Sequence, residues 1–114
     1  MIIPENAGLG ELRNLLAQAE NKLTEWTPIL SNYRQAAMNT KEEYDYELSC
    51  AKVLHENEET ATMMIAKAKK DTRKFQIAAS SAKANLIMGE DLVKQLQGQR
   101  DTLKALVKSE QSSY

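Results

Sequence analysis

Residues 9–44 read LGELRNLLAQAENKLTEWTPILSNYRQAAMNTKEEY, and the spacing of their apolar side chains decides the fold. Leu9, Leu12, Leu16, Ala19, Leu23, Trp26, Leu30, Tyr33, Ala37, Thr40 and Tyr44 step alternately by three and four residues. Such steps keep side chains on one stripe of an α-helix, and about five heptads of them mark a seam against other helices. A strand would need a step of two. Thr27-Pro28 interrupts the stripe. Proline suits the first helical position behind a threonine cap and is costly inside a helix. The stretch therefore predicts two helices, about 9–26 and 28–55, or one helix kinked at Pro28.

Outward from this stripe the signals weaken. Residues 1–8, with Pro4 and Gly8, read as an irregular lead. On the other side, His55-Glu56-Asn57-Glu58-Glu59-Thr60 contains no apolar residue. That suggests a reversal, with Asn57 capping the next helix and Glu58 and Glu59 in its first turn, where the helix dipole favours acids. No Gly or Pro enforces the turn, so an uninterrupted helix is the alternative. Met64, Ala68, Phe75, Ala78, Ala82 and Leu86 then line one side of a helix over about 61–88. Gly89 is placed as a bend or a close crossing. Leu92, Val93, Leu96, Leu103, Leu106 and Val107 support a further helix over about 90–110, before a polar, frayed end at 111–114.

Composition agrees. The chain has 114 residues, room for one domain, with 42% hydrophobic residues but only 5% aromatics, 4 Gly and 2 Pro. A core must then come from Leu, Ala, Met and Ile, which suit helix seams better than sheets. The expected class is all-α, a helical hairpin or three-helix coiled-coil-like arrangement. A helix over 28–55 would be about 42 Å long. Its seam needs more cover than one short chain easily gives, so a homo-oligomer is expected through Leu9, Leu12, Leu16, Leu23, Trp26, Leu30, Tyr33 and Tyr44. One cysteine, the lack of any apolar run of membrane-spanning length and an N-terminus unlike a signal peptide point to the cytoplasm, with no membrane partner.

The inventory is poor for catalysis. His55 and Cys50 are the only residues of their kinds, five positions apart and without a third partner. Zinc ligation or a Cys–His pair needs more, so they read as a surface histidine and a packed cysteine. No phosphate-binding glycine loop, dinucleotide fingerprint or metal motif occurs, and no enzyme, metal or cofactor is expected.

Charge is where the chain departs from blandness. Between Glu42 and Glu59 seven acids face one base, Lys52, whereas between Lys67 and Lys83 six bases face one acid, Asp71. After a reversal the two stretches could neutralise each other across a hairpin. Alternatively, Lys67, Lys69, Lys70, Arg73 and Lys74 form a footprint for a phosphate backbone, with Lys67, Lys70 and Lys74 at i, i+3 and i+7. Phe75, the one aromatic inside the patch, reads as core rather than a base-stacking platform.

Over residues 26–110 the order of these features resembles small helical accessory proteins of phage recombination operons, including mediators of the UvsY type. The matching features are a helix with Trp26, Tyr33 and Tyr44-Asp45-Tyr46, a polar reversal before Thr60, the Lys-rich Ala66-Lys67-Ala68-Lys69-Lys70-Asp71, and an amphipathic end with Leu92, Leu96, Leu103 and Leu106. The glycine-containing turn of the larger mediators has no counterpart here. The resemblance implies an oligomeric, enzymatically inert protein that binds single-stranded DNA through Lys67, Lys69, Lys70, Arg73 and Lys74. It further implies that the protein helps load a recombinase on strands covered by a single-strand-binding protein. The other class to weigh is a non-enzymatic adaptor, assembly chaperone or inhibitor working by protein–protein contact.

Overall fold

The computed structural model describes residues 3–112, which contain three helices and no strand: α1 (Leu9–Leu54), α2 (Ala61–Asp71) and α3 (Arg73–Ser112). The fold is all-α, with the helices packed against one another. α1 starts where expected, its ladder opening with Leu12 N–H donating to the Gly8 carbonyl at 2.9 Å. It then runs through Pro28 without ending, so the two helices expected at 9–26 and 28–55 are one. Proline gives the Thr24 carbonyl no N–H, but Thr24 and Pro28 are both exposed, away from the packed stripe. Two threonine hydroxyls reinforce the same turns: Thr24 donates to the Glu20 carbonyl at 3.0 Å and Thr27 to that of Leu23 at 2.9 Å.

The reversal falls where the apolar pattern stops, between Leu54 and Ala61. Its cap is Thr60 rather than Asn57. Thr60 is extended (φ −131°, ψ 152°) and its hydroxyl accepts the Met63 N–H at 3.1 Å, satisfying an orphan donor of the first turn. The expected helix over 61–88 is divided at Thr72, and the expected interruption at Gly89 is absent, since α3 continues through it. Thr72 is buried, and its hydroxyl donates to the Ala68 carbonyl at 2.7 Å in competition with the main-chain ladder. The ladder still passes on both sides, from Thr72 N–H to Ala68 O and from Gln76 N–H to Thr72 O, each at 3.1 Å. α3 also runs on through Ser112, beyond the expected frayed start at 111; residues 113 and 114 lie outside those described.

The chain divides into two compact units, Met1–Leu30 with Met88–Tyr114, and Ser31–Ile87. Packed helices touch only where residues stand level with one another, so a long helix need not build a single centre. The first unit has a leucine core: Leu12, Ala19 and Leu103 are buried, with Ile3, Ala7, Leu15, Leu16 and Val107 packed round them. Leu30 and Leu96 are buried in the same unit. In the second unit the buried residues are small: Ala51, Ala68 and Thr72.

The stripe assigned to a subunit interface is thus covered from within. Leu12, Ala19 and Leu30 are buried, and Leu9, Leu16, Leu23, Trp26, Tyr33 and Tyr44 are half-buried, in the single chain. This burial does not require a sister subunit. α3 supplies the cover because it carries a second stripe: Ala68 and Thr72 of the α2 end are followed by Phe75, Ala79, Ala82, Leu86, Gly89, Val93, Leu96, Arg100, Leu103 and Val107, every one buried or half-buried. The expected inward Ala78 is exposed; its neighbour Ala79 takes that place.

Candidate nucleic-acid interface

The five cations singled out in the sequence all belong to the second unit and straddle the junction at Thr72, with Lys67, Lys69 and Lys70 on α2 and Arg73 and Lys74 on α3. All five are exposed because the packed stripe here uses Ala68, Thr72 and Phe75, leaving the positions between them to solvent. Thr72 ties this local structure together. Its carbonyl accepts from both Phe75 and Gln76, holding the first turn of α3 against the end of α2.

Mutual neutralisation of the acidic and basic stretches is largely not what forms. Among the described residues only Lys67 of the five is in an ion pair, with Glu58 at 2.5 Å. The other acid of this region, Asp71, is engaged by His55, with Nε2 and Oδ2 2.6 Å apart. His55 Nδ1 also lies 4.0 Å from Glu58. The turn 55–60 is therefore clasped to α2 by two side-chain contacts, His55 to Asp71 and Glu58 to Lys67. Lys69, Lys70 and Arg73 have no such partner, and Lys74 lies over the Phe75 ring, 5.0 Å from its centroid. Phe75 is half-buried on the packed stripe, so one ring serves the interior and steadies a cation at its edge.

The clasp revises the reading of two residues. His55 is half-buried and bonded rather than a bystander on the surface, and Cys50 is exposed rather than packed. Nothing in the sequence pairs His55 with Asp71 sixteen positions on; only the reversal brings them together. Cys50 instead stands one turn from the exposed Tyr46. The neighbouring Cys50, then the Glu47 carboxylate and slight desolvation, raises the Tyr46 phenol above its ordinary pKa of 10.0.

The sequence also passed over a groove in this unit, about 540 Å³ in volume, between α1 and α3. Ala37, Met38, Tyr44, Ala79 and Leu86 give it apolar surface, and Arg34, Lys41 and Lys83 stand on its walls with Asp45. Among the described residues no cluster of three or more His, Cys, Asp or Glu could hold a metal ion, and no helix is long and apolar enough to cross a membrane. Among the described residues the arrangement is a charged, partly apolar surface. Compared with protein-family models, curated proteins and solved structures, the chain matches none of them.

Proposed function

We propose that this protein binds single-stranded DNA through Lys67, Lys69, Lys70, Arg73 and Lys74. In this reading it serves recombination as a non-enzymatic accessory protein of the cytoplasm, helping to load or regulate a recombinase on strands held by a single-strand-binding protein. The observation that carries the DNA contact is the exposure of Lys69, Lys70, Arg73 and Lys74 without ion pairs among the described residues, although an acidic stretch belongs to the same unit. Cations left to solvent beside available carboxylates cost little and remain open to phosphates. The recombination role rests on the resemblance in the order of elements. Self-assembly would repeat the patch and convert a weak site into a strong one by avidity.

Fluorescence anisotropy with a labelled oligothymidylate tests this directly. Binding should fall steeply between low and physiological salt, because each neutralised phosphate of a single strand releases counterions. Binding that is absent at low salt, or indifferent to salt, would rule the reading out.

A second reading has its own support. Seven large apolar side chains of the second unit are exposed: Met38, Tyr46, Val53, Leu54, Met63, Ile77 and Ile87. Such a density marks a protein–protein surface more readily than a solvated face. An adaptor or inhibitor acting by protein contact would use it without any DNA.

A further inference from the structure

The groove of the second unit has mostly basic walls. Arg34 and Lys41 stand two turns apart on α1 and Lys83 on α3, against the single acid Asp45, above apolar surface from Ala37, Tyr44, Ala79 and Leu86. Its α1 wall runs from Arg34 to Asp45, about 16 Å of helix. That length and those walls fit about three turns of a helix with an apolar ridge and acidic flanks.

The same unit displays such a ridge. Tyr46, Cys50 and Val53 follow one another at i, i+4 and i+7, sharing one face of α1 over about 10 Å. All three are exposed, Tyr46 and Val53 to 68% and 65%. Glu42 and Glu43 precede this ridge by one turn, and Asp45 and Glu47 flank Tyr46. Apolar side chains held outwards on an acidic helix, beside an apolar groove with mostly basic walls, are complementary in charge and chemistry. They are different patches of the chain, so a second copy can offer its ridge to the groove of the first.

We infer that the Tyr46–Cys50–Val53 ridge of one copy docks in the Arg34–Lys41–Lys83 groove of a second copy. Two copies can exchange ridge and groove across a two-fold axis and close as a dimer, or pair head to tail until a ring closes or a filament grows. Three turns of helix bury less than a standard interface, so association sets in at roughly tens of micromolar and weakens with salt. The inference is independent of DNA binding.

Sedimentation velocity on the full chain, from about 10 µM to about 1 mM at low salt, reads the outcome. The wild type should assemble progressively. Tyr46→Ser/Val53→Ser removes the ridge and Lys41→Glu/Lys83→Glu reverses the groove; each should raise the concentration needed at least about tenfold. All four positions are exposed, and helical circular dichroism identifies a variant that has failed to fold. Mixing the two variants is decisive. One intact ridge and one intact groove remain between them, so the mixture should form a 1:1 dimer and stop there. Should the groove variant misfold, Met38→Glu in the groove, exposed to 54%, takes its place, and should the ridge variant misfold, Val53→Ser alone does. A wild type that stays monomeric throughout overturns the inference and leaves the groove to an acidic helix of another protein. So does assembly indifferent to both variants, or folded variants that do not recombine. If the groove reversal weakens oligothymidylate binding yet leaves assembly intact, the groove belongs to nucleic acid and the inference also fails.

Discussion

The first unit buries Leu12, Leu30, Leu96 and Leu103, whereas the second buries Ala51, Ala68 and Thr72 and leaves seven large apolar side chains exposed against three in the first, Ile29, Met88 and Leu106. Burial of a leucine contributes about 1.5–3 kcal/mol, so stability concentrates in the first unit. Small residues on the packed stripe let helices approach closely but bury little apolar area. The second unit supplements them with polar contacts: the Thr60 cap, the Thr72 hydroxyl and the two links that clasp the turn. It also holds the cations, the groove and the acidic ridge. The contrast is between a region that spends its apolar residues on folding and one that presents them outwards.

The largest effect should come from the first unit. Leu103→Ala deletes a fully buried side chain from the core round Leu12 and Ala19 and should cost about 3 kcal/mol. Leu54→Ala removes the same atoms from a position 76% exposed and should change stability by less than about 0.5 kcal/mol. Urea unfolding of both variants checks the pair. Equal losses would abolish the distinction between the units.

A smaller gain is expected at Pro28. The helix continues through it, so Pro28→Ala restores an N–H for the Thr24 carbonyl and relieves the ring contact. An interior proline costs about 3 kcal/mol in an unadapted helix. Because the residues round it are exposed and already accommodated, about 1–2 kcal/mol of that should return as added stability. Hydrogen exchange should place the extra protection on residues 24–32. A destabilised Pro28→Ala would show that the local geometry, not the leucine core, keeps α1 continuous there.

These two sites also show what was legible beforehand. The Leu9–Tyr44 stripe announced α1 because its inward positions carry large apolar residues. Its partner stripe on α3 keeps equally regular spacing, but Thr72, Ala79, Ala82, Gly89 and Arg100 occupy inward positions. Hydropathy alone does not mark such residues, so the sequence shows the seam of α1 without showing what covers it. Counting back in threes and fours from Leu103 recovers it. Pro28 and Gly89 do not end their helices because residue propensities of a few kcal/mol are outweighed by packing along a whole helix face. Thr72 was undervalued, since a threonine bonding back to its own helix has no distinctive spacing. For the candidate site, the cations were visible as a cluster. Which of them were engaged depended on pairs such as Glu58–Lys67 that only the turn creates.

The clasp permits a finer measurement in the second unit. His55 and Asp71 are joined at 2.6 Å, with the histidine side chain 21% and the aspartate 48% exposed. A partly solvated pair contributes modestly. A double-mutant cycle of His55→Ala and Asp71→Ala should give a coupling of about 0.5–1 kcal/mol. Coupling below about 0.2 kcal/mol would mean that the turn is held by its backbone and the Thr60 cap alone.

The smallest effect on stability should accompany the largest effect on binding, and that combination separates the two uses of charge in this unit. Lys70→Ala/Arg73→Ala removes two exposed cations that have no ion-pair partner among the described residues. Their removal should alter unfolding by only a few tenths of a kcal/mol, since little in the fold depends on them. If both contact phosphates, oligothymidylate binding should weaken for every sequence alike. The dependence of log K on log salt should also flatten by about 1.4, at about 0.7 per phosphate contact on a single strand. If the cations instead serve the acidic stretch by long-range attraction, the same variant should lose stability at low salt and leave the salt slope untouched. Glu43→Lys turns the comparison round: it adds positive charge at an exposed position of the same unit, so a DNA site should bind more tightly. A unit relying on attraction between its acids and bases should be destabilised by that change. Since only Lys67 among the five cations meets a carboxylate, the first pair of outcomes is the one the geometry favours.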